Sequence, residues 1–169
     1  MGTWSRERFI SSAVLLLALS FGSAGCSPQQ QACQKVGDAD MDVEGVESNG
    51  GYGQGLERSS ISIGGGGYSV TLIPHDYTKV RIANPEAGPA WLFVDQPGLV
   101  REMYTPTEAV DLAAMASPNE SCPDEVPESV YLEFPGSDED GSYTADLVFN
   151  PSETSYTVWV MLIPAKESE

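Results

Sequence analysis

Residues 156–163 read Tyr-Thr-Val-Trp-Val-Met-Leu-Ile, and their apolar side chains decide the fold class. Successive side chains of a β-strand point to opposite faces, so this run is apolar on both faces. Because such a strand must be covered on both sides, we expect it to lie inside a sheet. Residues 90–95, which read Ala-Trp-Leu-Phe-Val-Asp, have the same pattern.

Shorter segments around these two runs alternate between apolar and polar residues. In residues 78–83, for example, Val80 and Ile82 share one face, while Lys79 and Arg81 share the other. Such alternation is typical of half-buried strands. The strand-like segments are residues 59–63, 68–73, 78–83, 90–95, 99–104, 130–134, 143–149 and 156–163. Short strands separated by turns predict an all-β fold, an antiparallel β-sandwich of immunoglobulin-like architecture; a small β-barrel is the alternative.

Turn residues predict how some strands connect. Residues 95–98 read Asp-Gln-Pro-Gly; Pro97 fixes its own φ, and Gly98 accepts the positive φ of a type II turn. We expect residues 99–104 to return from this turn as the next strand. Residues 150–154 predict a hairpin loop.

One short helix is predicted after residue 104. Thr105 is a suitable N-cap, Pro106 suits the first helical position, and Glu108 completes a capping box. Apolar residues continue through Met115, and the following Ser-Pro pair, residues 117–118, would end the helix.

The N-terminal residues have the pattern of an export signal. Arg6 and Arg8 precede an apolar run, residues 9–21, which is too short to span a bilayer comfortably. The run is followed by residues 23–26, Ser-Ala-Gly-Cys. This ending resembles the lipobox of bacterial lipoproteins, although Ser stands where Leu is usual.

The resemblance implies cleavage before Cys26, a diacylglycerol on its thiol and acylation, for example by palmitate, of the new N-terminus. Several acyl chains hold a protein to a membrane far better than one. Ser27 follows the cysteine, where Asp marks inner-membrane retention in enterobacteria, so the outer membrane or cell surface is favoured. The alternatives are cleavage after Ala24, which would release a soluble protein, and an uncleaved anchor.

The chain has three cysteines, an odd number for an exported protein. If Cys26 is acylated, Cys33 and Cys122 remain, and export permits a disulfide between them. Such a bridge would close a loop of about 90 residues and stabilise the fold by roughly 4–5 kcal/mol. Two free thiols are the alternative.

The sequence divides into a signal peptide at 1–25, a flexible acidic and glycine-rich tether at 26–57 and a sandwich domain at 58–165. Removing residues 1–25 leaves 6 basic and 24 acidic side chains, a formal charge of 6 − 24 = −18. Such a surface repels phosphate backbones, which argues against a nucleic-acid partner. It also repels anionic lipids, so membrane attachment must come from the acyl anchor.

Two acidic segments are the candidates for a metal site. Alternating oxygen ligands suit Ca²⁺, but residue 51, where an EF-hand loop would need its bidentate Glu, is Gly. We therefore expect solvated acidic segments and no cofactor, with Ca²⁺ as the alternative. The candidate ligands are Asp38, Asp40, Asp42 and Glu44 in the first segment and Asp138 and Asp140 in the second.

The chain contains no pattern that indicates a catalytic site. His75 is the only histidine and lies in a turn-like Pro-His-Asp-Tyr segment, and no G-x-S-x-G motif is present. Residues 64–67 are four glycines without the Lys and Ser/Thr of a P-loop. We therefore expect no enzyme but a non-enzymatic binding or structural module. Loop tyrosines such as Tyr52, Tyr77 and Tyr104 could contact a protein or glycan partner; an envelope hydrolase or an accessory subunit of an envelope complex is the alternative.

Overall fold

The computed structural model describes residues 26–48, 52–53, 60–64, 66–84, 88–134, 143–151, 153 and 156–165. Its strands form two sheets, which we call sheet A and sheet B. Sheet A has the spatial order β1 (Ala39–Glu44), β4 (Gly67–Thr71), β12 (Thr157–Pro164), β6 (Ala90–Val94), β10 (Glu128–Leu132) and β9 (Ser117–Pro118). Sheet B has the order β2 (Val46–Glu47), β5 (Thr78–Asn84), β11 (Tyr143–Phe149), β7 (Val100–Tyr104) and β8 (Ala109–Asp111), and β3 (Ser60–Ser62) also pairs with β5.

The prediction of an all-β sandwich is confirmed. The described strands form two open sheets that pack face to face, and not the closed barrel that was the alternative. Most strand pairs are antiparallel, but β1 runs parallel to β4, and β3 runs parallel to β5. Residues 1–25, predicted to be a signal peptide, lie outside the described residues.

The doubly apolar strand β12 separates two cores, as its sequence predicts. Val158 and Val160 face the main core between the sheets. Trp159 and Met161 face a second core on the outer side of sheet A, under the helix α1 (Pro28–Lys35). Because β6 is also apolar on both faces, it pairs with β12 at the centre of the sheet.

Two connections expected to join neighbouring strands cross between the sheets instead. The turn at residues 95–98 has the expected positive φ at Gly98, 74°, but it leads from β6 in sheet A to β7 in sheet B. The expected hairpin at residues 150–154 likewise joins β11 in sheet B to β12 in sheet A. Because the doubly apolar strands pair with each other, their sequence neighbours pass to the opposite sheet.

Part of the expected tether is folded into the domain. Of the range 26–57, residues 28–35 form α1, and β1 and β2 pair with β4 and β5. Ser27 caps the helix: its hydroxyl accepts from the Gln30 backbone N–H, and the Gln30 side chain accepts from the Ser27 N–H. Ala32 then packs into the second core. Low hydrophobicity hid these elements, because each contributes few side chains to a core.

The helix predicted after residue 104 is wrong, and the one described helix is α1. The Thr105 hydroxyl does accept a hydrogen bond from the Glu108 N–H, as an N-cap would. The Thr105 N–H, however, donates to the Glu108 carbonyl, which closes a turn between β7 and β8. The chain then pairs with β7, and Leu112 enters the main core. Burial of Leu112 and pairing with β7 outweigh the helical propensity of this segment.

Candidate functional site

A groove opens at the edge of the sandwich, where the β7–β8 hairpin faces the end of β10. Its volume is about 480 Å³. Apolar side chains form most of its wall, and two carboxylates complete it. The lining residues are Met103, Glu108, Val110, Leu112, Met115, Tyr131, Leu132, Glu133 and Phe134. A groove of this size and lining is typical of sites for small molecules or for a partner's apolar side chain.

The short strand β8 creates this groove. After Asp111 the chain leaves the sheet in a turn, in which the N–H groups of Leu112 and Ala113 both donate to the Arg101 carbonyl. The turn directs Leu112 inward and leaves Met115 43% exposed beside the opening. The groove therefore lies directly over buried core side chains, with Met115 at its opening.

The polar part of the groove lining is acidic. Glu108 and Glu133 belong to the lining, and none of the described lining residues is basic. Carboxylates beside an apolar wall favour a ligand that combines an apolar body with a positively charged group. Pattern analysis could not find this site, because its residues come from three strands in two sheets.

A second, smaller cleft lies beside Cys26. Its volume is about 270 Å³. Cys26 is exposed, and its carbonyl accepts a hydrogen bond from Gln31 Nε2 at 2.9 Å. The lining residues are Cys26, Pro28, Gln31, Trp91, Ile163, Pro164 and Ala165. The thiol predicted to be acylated is thus placed against the folded domain.

A disulfide joins Cys33 to Cys122, which confirms the predicted pairing. The two residues are 89 positions apart, and their Cα atoms are 5.8 Å apart. The bridge attaches α1 to the loop between β9 and β10, and both cysteines contact the second core. Because this bridge uses two of the three cysteines, Cys26 alone keeps a free thiol.

A buried ion cluster lies on the outer face of sheet B. Asp146 contacts Lys79 Nζ at 3.6 Å and Arg81 Nε at 3.1 Å, and neither Asp146 nor Lys79 has an exposed side chain. Gly53 covers the cluster, since its N–H donates to Asp146 Oδ2 at 2.7 Å. In residues 143–149 the alternation predicts an exposed Asp146; this is wrong, because sequence periodicity does not reveal that Gly53 covers its carboxylate.

The structure does not gather the calcium candidates of the first segment into a site. Asp38, Asp40, Asp42 and Glu44 are all exposed. Asp42 and Glu44 lie two residues apart on an extended strand, which separates their Cα atoms by about 6–7 Å. Within the described ranges, no three His, Cys, Asp or Glu side chains come together to hold a metal ion. Asp138 and Asp140 lie outside the described residues.

His75 lies in the connection between β4 and β5, as predicted from its turn-like segment. It is exposed and has a positive φ of 62°. The neighbouring Asp76 carboxylate accepts from the Tyr77 N–H at 2.7 Å, so it serves the turn. Neither residue lines the groove or the cleft beside Cys26.

The three tyrosines predicted near loops contact side chains of sheet B, and Tyr104 is itself the last residue of β7. Arg81 lies over the Tyr52 ring, with its guanidinium carbon 5.3 Å from the centroid, and Arg101 lies over Tyr77 at 4.2 Å. The Tyr104 hydroxyl donates to the Glu102 carboxylate at 3.1 Å. These rings take part in cation–π and hydrogen-bond contacts within the domain.

Comparison with known proteins adds no assignment to these features. In the part of the chain that the structure describes, no helix has the length and apolar character needed to cross a membrane. Neither a protein family nor a curated protein matches the chain.

Proposed function

We propose that this protein is a lipid-anchored protein of the bacterial envelope that acts as a non-enzymatic binding module. The position of Cys26 carries the first half of the proposal. The disulfide uses the other two cysteines and leaves Cys26 exposed, one residue before the N-cap of the helix. The preceding residues resemble a lipobox, and a disulfide suits an exported protein.

Metabolic labelling tests the anchor. Cells that express the full chain should incorporate radiolabelled palmitate into the protein, and the protein should partition with membranes. Cys26→Ala should lose the label and the membrane fraction, because it removes the thiol that would carry diacylglycerol. Cys122→Ala is the matched control and should keep the label. Partitioning of Cys26→Ala like the wild type would refute the anchor.

The groove supports the second half of the proposal. Its apolar wall offers burial for a hydrocarbon or aromatic body, and each buried methylene contributes about 0.8 kcal/mol. Glu108 and Glu133 would pair with a cationic group of the same ligand. We therefore propose that the groove binds an apolar ligand that carries a positive charge, on a small molecule or on a partner's surface.

Two probes of equal chain length and opposite charge test this site. We expect hexyltrimethylammonium to bind more tightly than hexyl sulfate in titrations followed by tryptophan fluorescence. Trp91 can report binding in the groove, because Tyr131 of the groove contacts the Trp91 ring with a centroid distance of 5.2 Å. Equal affinity for both probes would contradict the proposed ligand class.

Variants distinguish binding in the groove from attraction of the probe to the negative charge of the whole chain. Glu133→Gln should weaken binding of the ammonium probe about two- to fivefold, the size expected for one partly exposed ion pair. Val110→Phe should abolish binding of both probes by filling the groove without adding a tryptophan to the fluorescence readout. Glu125→Gln, an exposed residue outside the groove lining, is the matched control and should bind as the wild type does.

A further inference from the structure

The surface beside Cys26 differs in charge from the chain as a whole. The sequence has 25 acidic residues and a formal charge of −17, yet among the residues that the structure describes no carboxylate lines the cleft beside Cys26. We call the seven lining residues of this cleft the anchor-side patch. The helix next to it, α1, has the sequence PQQQACQK, which contains one Lys and no acidic residue.

Other described surfaces are acidic. Glu108 and Glu133 belong to the groove, exposed Asp124 and Glu125 lie in the loop after β9, and exposed Asp42 lies on β1. Glu133 marks one boundary of the patch. It follows Leu132, which pairs with Ala90, and Ala90 directly precedes Trp91 of the patch. A surface that approaches phospholipid headgroups must lack carboxylates, since these are repelled by anionic lipids and lose hydration there.

The link between Cys26 and the domain is short and ordered. Ser27 caps α1, Gln31 donates to the Cys26 carbonyl at 2.9 Å, and Gln34 Nε2 lies 3.9 Å from Cys26 Sγ. The disulfide at Cys33 then attaches the helix to the loop before β10. An acyl anchor on this sulfur would therefore hold the domain close to the bilayer, with the patch nearest to it.

The patch also contains an aromatic residue suited to a membrane interface. Trp91 is half-buried, and Tyr131 holds its ring from the side in an edge contact at 5.2 Å. Tryptophan is enriched at the headgroup level of membranes, because its ring is apolar and its indole N–H is polar. Pro164 adds exposed apolar surface beside it.

We infer that the anchor-side patch lies against the phospholipid surface, with Trp91 at the headgroup level. The inference depends on the proposed acylation of Cys26, because a chain of this charge would not approach an anionic membrane unaided. It adds an orientation to the anchor: the anchor-side patch is the part of the sandwich that meets the membrane.

Fluorescence quenching by brominated lipids tests the orientation. The acylated full-length protein is purified from membranes and reconstituted into vesicles of phosphatidylcholine with bromine on the acyl chains near the glycerol. The chain has three tryptophans, and only Trp91 and Trp159 remain after loss of residues 1–25. Trp159 is 5% exposed, so we expect quenching to come from Trp91 and to be lost in Trp91→Phe.

A pair of charge insertions provides the control. Ala165→Glu places a carboxylate in the patch and should reduce the quenching, whereas Ala114→Glu, on an exposed turn after β8, should leave it unchanged. Two outcomes would overturn the orientation without refuting the anchor. One is the absence of quenching from the palmitate-labelled wild type, and the other is equal quenching in both Glu variants. Absence of the label from the wild type would instead refute the anchor itself.

Discussion

Asp146 is the acidic partner in the buried ion cluster of sheet B. Its carboxylate contacts Lys79 and Arg81 and accepts a hydrogen bond from the Gly53 N–H. Burying these charges costs several kcal/mol each, and their attraction together with the hydrogen bond offsets that cost. The complete cluster therefore adds little net stability, but removal of one charged partner strongly destabilises the fold.

Asp146→Ala is expected to lower the free energy of unfolding by about 3–5 kcal/mol, because it removes the buried carboxylate that contacts both Lys79 and Arg81. Urea denaturation measures this change. The double variant Lys79→Met with Asp146→Leu should recover much of the loss, and exposed Asp124→Ala should change stability little. A loss in the double variant as large as that in Asp146→Ala would contradict this account.

Asp95 links stability to pH. Partial burial raises its carboxyl pKa above the ordinary value of 3.8, although a hydrogen bond from the Trp159 N–H acts in the opposite direction. Between pH 3.8 and the raised pKa, the folded chain holds a proton that the unfolded chain releases. This contribution to the free energy of unfolding therefore falls as pH rises through that window.

Asp95→Asn removes this titration and keeps an oxygen that can accept from the Trp159 N–H. We expect the wild type to lose stability relative to the variant as pH rises from 3.8, with a constant difference above the raised pKa. Urea denaturation across this range measures the difference. A difference that is constant throughout, or that moves the other way, would argue against this role of burial.

At the scale of single elements, strand positions were predictable and strand partners were not. Alternation located β5, β10 and β11 closely, and the doubly apolar pattern located β6 and β12. Periodicity reports which face of a strand is buried, but both sheets bury a face in the same core. It therefore could not assign β6 and β7 to different sheets.

The candidate site was predictable only where it depends on single residues. The sequence identified the Cys33–Cys122 bridge and the separate Cys26, since cysteine pairing leaves few choices. The groove exists because β8 ends after three residues and leaves space between the β7–β8 hairpin and β10. The anchor-side patch exists because α1 folds back onto sheet A. Both features result from tertiary packing, which sequence patterns do not report. Tertiary packing also replaced the helix predicted from the capping signal at Thr105 by the β7–β8 turn.

Loss of the disulfide should weaken α1 and the second core first. Replacing Cys33 and Cys122 by Ala is expected to lower the free energy of unfolding by about 4–5 kcal/mol, because the bridge closes a long loop. Amide hydrogen exchange should accelerate most in α1, whose other contacts are few. Cys26→Ala, which alters the exposed free thiol, is the matched control and should retain wild-type stability. Unchanged exchange in α1 of the double variant would contradict the prediction.

At the scale of the whole molecule, charge is distributed unevenly over the sandwich. The chain has a formal charge of −17, and the described part has exposed carboxylates on β1, in the loop after β9 and beside the groove. Repulsion among them opposes folding at low ionic strength. The Lys79–Asp146 pair is buried and is screened much less by salt.

Added salt should therefore stabilise the protein. Raising NaCl from about 10 mM to about 150 mM shortens the Debye length from roughly 30 Å to roughly 8 Å, which screens repulsion between exposed carboxylates. We expect Tm, measured by circular dichroism, to rise over this interval. An equal osmolality of sucrose controls for exclusion of cosolute from the surface. A Tm that falls with NaCl would show that attractive pairs dominate the surface.

The disulfide also determines how the domain transmits mechanical force. A pull applied at Cys26 and at the C-terminal end follows the shortest covalent path, from α1 through Cys33 to Cys122 and onward to β10. Residues 34–121, which include β1 and its parallel pairing with β4, lie in the closed loop and carry no tension along the chain. In a stretching experiment, reduction of the bridge should therefore lengthen the released chain by the extension of that loop. Tension on the proposed anchor would therefore bypass residues 34–121, including Glu108 of the groove, whereas Glu133 follows β10 and lies on the path that carries the tension.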